Sequence, residues 1–205
     1  MLADMSVVDF LEKTASNSPV PGGGSIAALS AAFSSALTQM VANLTLGKKG
    51  YEDVQEEAES IVKEAEMMRG FFVEYIDKDS DAFNEVMNAF KLPKDTDEEV
   101  EYRKKAIQEA TKLAALVPLD IAREAYKIME LAQVVVEKGN KNAVTDGAVA
   151  TMLARTAVLS ALYNVKINLS SIKDKEFVER VSEEVDELEK TVNLKEEQIL
   201  SKVVL

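Results

Sequence analysis

The sequence has no cysteine and no histidine in its 205 residues. Without cysteine there are no disulfides, thiolate nucleophiles or thiolate metal ligands, a composition that suits a reducing, cytoplasmic setting. Without histidine, Ser-His-Asp and Cys-His catalysis and His-ligated zinc are excluded, and the commonest general base is gone. Any acid–base chemistry falls to Asp, Glu, Lys or Tyr. Basic residues are also in deficit, 24 Lys and Arg against 36 Asp and Glu, for a net charge of −12. That argues against nucleic acid as a partner, since phosphate backbones need a basic surface. A small anion held in a local basic pocket remains compatible.

At 47% hydrophobic and 29% charged residues the composition is globular, and a chain of this length buries roughly 70% of its unfolded surface. Met1 to Asp9 holds two acids and no basic run, so no secretory signal is expected. Ile26 to Gly47 is 22 residues without a charge, long enough to span a bilayer. Its Ser, Thr, Asn and Gln content and its many alanines read instead as the central buried helix of a bundle.

Only 4 prolines and 8 glycines interrupt the chain, and the apolar period is helical nearly throughout. A first helix is predicted over Ser6–Ser16, with Ser6 and Asp9 spaced as a capping box. The loop Asn17–Gly24 follows, then the uncharged helix from Ser25, closed by Gly47-Lys-Lys-Gly50. A long helix is expected over Glu52–Phe90, and another from the Thr96/Glu99 capping box to Lys138. Pro118 inside the latter predicts a kink near Ala114, whose carbonyl loses its i+4 amide. A fifth, largely apolar helix spans Asn142–Leu169, and Asp174–Leu205 reads as one or two charged surface helices. The expectation is a single all-α domain over 1–205, a bundle of long, mostly antiparallel helices, one with a proline kink. Two helices apolar on more than one side predict a homodimer.

Three constellations could carry chemistry. Pro21-Gly22-Gly23-Gly24-Ser25 leads into a helix; its glycines allow close approach and positive φ, and the helix start offers unpaired N–H groups to a carboxylate, phosphate or electron-rich ring. The plainer alternative is a flexible turn with a Ser N-cap. In Asp77-Lys-Asp79-Ser-Asp81-Ala-Phe83 the calcium-loop pattern fails at Ala82 and Asn88. Helical spacing puts Asp77 and Asp81 on the solvated side, whereas Asp79 falls in the gap of the apolar stripe between Ile76 and Phe83. A carboxylate there is at a helix break, exposed, or buried with a raised pKa. Asn142-Ala-Val-Thr-Asp146 opens the fifth helix, with Val149, Ala150 and Leu153 on the Asp146 side; the alternative role is an acid complementing the helix dipole. Asn164 and Asn168, four apart, could bind amide or pyrimidine groups or cap the helix end. Lys48, Lys49, Lys94 and Arg103 are candidate anion partners.

In this order, Pro21-Gly-Gly-Gly-Ser25, Leu44-Thr-Leu-Gly-Lys48, Asp77-x-Asp79-x-x-Ala82-Phe83, Leu92-Pro-Lys94, Val117-Pro-Leu119, Asn142-x-x-x-Asp146 and Asn164-Val-x-Ile-Asn168 form a specific set. Over roughly Val7 to Val181 the chain resembles the cyclodeaminase domain of formiminotransferase-cyclodeaminase, a family that includes methenyltetrahydrofolate cyclohydrolases. The resemblance implies an all-helical, dimeric, cytoplasmic enzyme of folate one-carbon metabolism and histidine degradation, with no metal and no cofactor beyond its folate substrate. It implies conversion of 5-formiminotetrahydrofolate to 5,10-methenyltetrahydrofolate and ammonia, with cyclohydrolase activity or non-catalytic folate binding as alternatives. Asp79 matches the family's active-site aspartate, and Asp146 and, secondarily, Asp81 join it as candidate catalytic groups. Gly22, Gly23, Gly24, Ser25, Asn142, Asn164 and Asn168 are implied substrate contacts, with Asp146, Asn164 and Asn168 at the pterin end. Lys48 matches a basic position facing the anionic glutamyl or polyglutamyl tail. No formiminotransferase domain accompanies these motifs, so no channelling within this chain is expected.

Overall fold

The protein is described from a computed structural model covering residues 1–204; Leu205, the end of the expected tail, lies outside the described residues. Six α-helices follow one another: α1 (Val7–Thr14), α2 (Gly23–Asn43), α3 (Gln55–Phe90), α4 (Asp97–Lys138), α5 (Val144–Leu169) and α6 (Lys175–Leu200). Short 3-10 turns at Leu2–Asp4, Glu52–Val54 and Lys141–Ala143 lead into the chain, α3 and α5. No strand occurs among the described residues. The fold is the expected all-α bundle.

The caps follow the local sequence. Thr96 Oγ1 accepts from the Glu99 amide while Glu99 Oε2 accepts from the Thr96 amide, a full capping box. At α1 only half of that device forms, because the Asp9 carboxylate takes the Ser6 hydroxyl rather than a backbone amide. α3 runs unbroken through residues 77–81, which removes the helix-break reading of Asp79. α4 runs on through Pro118.

α2 is the centre of the bundle, lying against α3 and α5 and touching α4. Its Ala27, Ala28, Ala31 and Ala32 are buried, and small side chains let neighbouring axes approach closely. α2 and α5 run antiparallel: Gly23 faces Asn164, Ser34 Oγ donates to the Ala150 carbonyl, and Lys48 reaches Asn140. Both are long and apolar enough to cross a membrane by length and composition, and both have their buried faces in this core. Phe72, Leu119, Ile121, Ile128, Met129 and Leu162 fill the centre.

Three expectations need correction. α6 is one helix and not only a surface element, since Phe177, Val181, Val185, Val192 and Ile199 are buried; their spacing forms an apolar stripe that the high charge of the segment masks. α2 starts at Gly23 rather than Ser25, because glycine tolerates helical φ/ψ once packing supports it. Asp77 is not simply solvated: it accepts from the Leu2 and Ala3 amides at 2.6 and 3.2 Å, seating the N-terminal turn on α3.

Candidate active site

The start of α2, the middle of α3, the Pro118 region of α4 and the last turns of α5 meet at one end of the bundle. Between them lies a cleft of about 330 Å³, whose lining includes Gly22, Gly23, Asp79, Phe83, Asn164 and Asn168.

The glycines are there for proximity. None of Gly22, Gly23 and Gly24 has positive φ, contrary to expectation; among glycines only Gly47 and Gly50 do. A Cβ on Gly24 would stand 2.0 Å from Asp79 Oδ1, and one on Gly23 would stand 2.9 Å from Asn164 Nδ2. The first turn of α2 thus presses directly on the carboxylate and the carboxamide. Ser25 is not an N-cap, a position that Gly22 holds. Its side chain points into α3, where the hydroxyl lies 2.8 Å from the Ile76 carbonyl and 3.1 Å from Asp79 Oδ2.

The pKa of Asp79 is raised above the usual carboxylate range. Burial pushes the carboxyl up, and hydrogen bonds from the Ser25 hydroxyl and backbone amide partly oppose this. No cation lines the cleft.

The asparagines face the cleft rather than capping the helix end. Asn168 Nδ2 donates to the Ala114 and Asn164 carbonyls at 2.9 and 2.8 Å, which uses both amide hydrogens and leaves Oδ1 as an acceptor. Asn164 Nδ2 donates to the Ser160 carbonyl at 2.8 Å. The polar set is therefore a carboxyl that can hold or take a proton, beside amide oxygens suited to N–H donors of a ligand. Phe83, Val86 and Ile167 add apolar walls. Phe83, which the sequence placed in the apolar stripe, lines the cleft, and Val86 both lines it and packs against the core.

Other candidates lie elsewhere. Asp81 is exposed, turned away from the cleft. Asp146 sits in the first turn of α5, half-buried beside an exposed Val149, in the place of an acid complementing the helix dipole. Eighteen residues of helix, about 27 Å, separate it from Asn164. Lys48 is at that far end too, donating to Asn140 Oδ1 at 2.6 Å. The Asn142 amide donates to the same oxygen. Asn140, nearly buried, joins the turn after α2 to the turn before α5 by also donating to Thr45 Oγ1 and the Leu44 carbonyl. Lys49 and Lys94 are exposed, and Arg103 donates to the Phe90 carbonyl. The chain thus gathers Gly22, Gly23, Gly24, Ser25, Asp79, Asn164 and Asn168, and leaves Asp81, Asp146, Asn142 and Lys48 apart.

Residues 6–187 match the family model described as formiminotransferase-cyclodeaminase. The chain is 40% identical over 188 residues to a methenyltetrahydrofolate cyclohydrolase of Methylorubrum extorquens, covering 92% of this chain and 90% of that protein. It is 32% identical over 187 residues to the formimidoyltransferase-cyclodeaminase of Rattus norvegicus, covering 91% of this chain but 35% of that longer protein. The crystal structure of formiminotetrahydrofolate cyclodeaminase from Thermotoga maritima superimposes with a TM-score of 0.88 at 33% identity, covering 99% of this chain and 98% of that one. With its helical bundle, glycine-fronted aspartate and paired asparagines in one cleft, the chain belongs to the formiminotransferase-cyclodeaminase family.

Proposed function

We propose that this chain is an enzyme acting on a tetrahydrofolate one-carbon adduct, and that its reaction is cyclodeamination of 5-formiminotetrahydrofolate. The observation that carries the reading is the Asp79 carboxyl, raised by burial, in a cleft whose other polar groups are the Asn164 and Asn168 amides.

In that reaction N10 attacks the carbon of the protonated formimino group on N5. The adduct carries the proton that N10 brought, and Asp79 as carboxylate takes it. Asp79 as acid then delivers the same proton to the amino group, the C–N bond breaks, and ammonia leaves with the 5,10-methenyl cation behind. One carboxyl can serve both steps, provided its pKa is lifted toward the working pH. The carboxylate also favours the cationic methenyl state electrostatically. The asparagine oxygens suit the N–H edge of a pterin, and Phe83, Val86 and Ile167 suit its ring faces.

A second reading, methenyltetrahydrofolate cyclohydrolase, is favoured by the relative of that name, which matches this chain over 90% of its own length. There Asp79 would take a proton from water attacking the methenyl carbon. One assay separates these readings. Pure protein, with no added cofactor, is mixed with 5-formiminotetrahydrofolate while methenyl absorbance and ammonia are followed, and separately with 5,10-methenyltetrahydrofolate. Ammonia released in step with methenyl formation is expected. Decay of methenyl absorbance alone would replace cyclodeamination with hydrolysis, and saturable binding without turnover would make the chain a folate-binding module.

We also infer a cytoplasmic homodimer. α2 and α5 leave Phe33, Met40, Val149, Met152, Tyr163 and Ile167 exposed, and α2 carries no charge along its length. Such a surface suits a second copy of a chain whose net charge of −12 disfavours contact elsewhere.

A further inference from the structure

Behind the cleft, Asp79 meets a polar cluster that the proposed reaction leaves without a role. The Ser25 hydroxyl is 2.8 Å from the Ile76 carbonyl, 3.1 Å from Asp79 Oδ2 and 3.1 Å from Ser80 Oγ. Ser25 is fully buried and Ser80 is 5% exposed. A hydroxyl carries one hydrogen and two lone pairs. Ser25 can therefore donate to Ile76 or to Asp79, while Ser80 can donate to Ser25 in either case.

From this geometry we propose that Ser25 and Ser80 form a two-state hydroxyl switch that keeps Asp79 hydrogen-bonded both with and without its proton. With Asp79 ionised, Ser80 donates to Ser25 and Ser25 donates to the carboxylate. With Asp79 protonated on Oδ2, the acid donates to Ser25 Oγ, and Ser25 turns its hydrogen to the Ile76 carbonyl. No bond to either serine oxygen breaks; only the direction of the Ser25 O–H changes. A fixed donor would stabilise the anion alone, and an apolar neighbour would leave the partly buried acid without this partner. The switch serves a carboxyl that must lose and regain a proton in each turnover, so its purpose rests on the reaction proposed above. Its existence does not.

Among the described residues, the cleft lining holds no titratable group besides Asp79. The loop before α2 brings Pro19 and Val20, α4 brings Ala114 and α5 brings Asn164 and Asn168. On α3 itself, Asp77 is turned to the Leu2 and Ala3 amides, Lys78 to the Tyr75 hydroxyl, and Asp81 to solvent.

The test is the titration of Asp79 in the full chain without substrate, read by carboxyl carbon NMR and assigned by the signal lost in Asp79→Asn. In Ser25→Ala the ionised form loses its hydroxyl donor, keeping only the residue 25 amide, and the protonated form loses its acceptor; the charge-assisted bond is the stronger of the two, so the ratio of ionised to protonated Asp79 at a given acidic pH falls about fivefold. Ser80→Ala moves the titration the same way by less, since it removes the group that polarises the Ser25 hydroxyl. With turnover assayed in parallel, the acid limb of kcat/KM moves to higher pH in the same order. A Ser25→Ala titration that overlays the wild type would overturn the switch, with Ser25 held permanently on Ile76. A shift in Ser25→Ala with none in Ser80→Ala would also overturn it, leaving a single fixed donor. Shifted titrations in a protein that turns over no folate would support the switch and count against the reaction instead.

Discussion

Asn168 Nδ2 lies 2.9 Å from the carbonyl oxygen of Ala114, the group on α4 that Pro118, four residues on, cannot serve with an amide hydrogen. The proline opens a buried backbone acceptor, and an asparagine from the neighbouring helix fills it. The same bond holds the side chain with its oxygen toward the cleft, so a defect in one helix orients a candidate ligand contact on another.

Removing the asparagine should expose the defect. Asn168→Ala is expected to cost about 1–3 kcal/mol in urea unfolding, because the Ala114 carbonyl is left buried and unpaired. In a Pro118→Ala background, residue 118 supplies its own amide, and the cost of Asn168→Ala should shrink by about 1 kcal/mol. Equal costs in both backgrounds would mean that the two residues are not coupled.

Asp79→Asn should lower kcat by roughly 10²–10⁴ with the fold intact, the usual worth of a positioned acid–base group. Retention of more than about a tenth of wild-type kcat would exclude Asp79 from the proton transfers. Asp81→Asn should be much milder, since Asp81 is exposed and turned away.

The raised pKa of Asp79 has a consequence for stability as well. In the pH range between its unfolded value, about 3.9, and its higher folded value, the native state binds more protons than the unfolded state. The Asp79 contribution to stability therefore falls as pH rises through that range. Asp79→Asn has no such titration, so its melting temperature relative to wild type should climb between about pH 4 and neutrality. A constant difference across that range would contradict burial as the leading influence on this group.

The two inner glycines should separate. Gly23→Ala meets only the terminal carboxamide of Asn164, at 2.9 Å, and no positive φ is at stake. It should leave the melting temperature unchanged or slightly higher while KM rises, because the displaced amide is a cleft wall. Gly24→Ala drives a methyl to 2.0 Å from Asp79, and should lose both stability, by about 1–3 kcal/mol, and kcat. A Gly23→Ala protein that melts early with normal kinetics would make the loop purely structural.

The dimer face can be tested on its own. Sedimentation velocity at micromolar concentration should give twice the chain mass. Met152→Glu, which places a charge on an exposed apolar site of α5, should shift it toward monomer. An active, monomeric wild type would rule out the face as a required interface.

The primary structure by itself determined the all-α class, the Thr96/Glu99 cap, the oddness of an acid at position 79 and the carbonyl that Pro118 would orphan. These depend on spacings of three and four residues, which a helix converts directly into neighbours. Three-dimensional packing decided the rest. The helical pattern left Asp79 exposed, buried or at a break, and only the approach of the α2 first turn, with no Cβ at Gly24, resolved this in favour of a partly buried carboxyl against Ser25. Lys48 and Asp146 share the motif order with Asp79 but lie at the other end of the bundle, Asp146 about 27 Å of helix from Asn164, because antiparallel α2 and α5 send the ends of their motifs to opposite ends of the bundle. Which helix supplies a partner to which depends on the angle and offset of packing, set by many small contacts between alanines distant in the chain, and no local spacing encodes it.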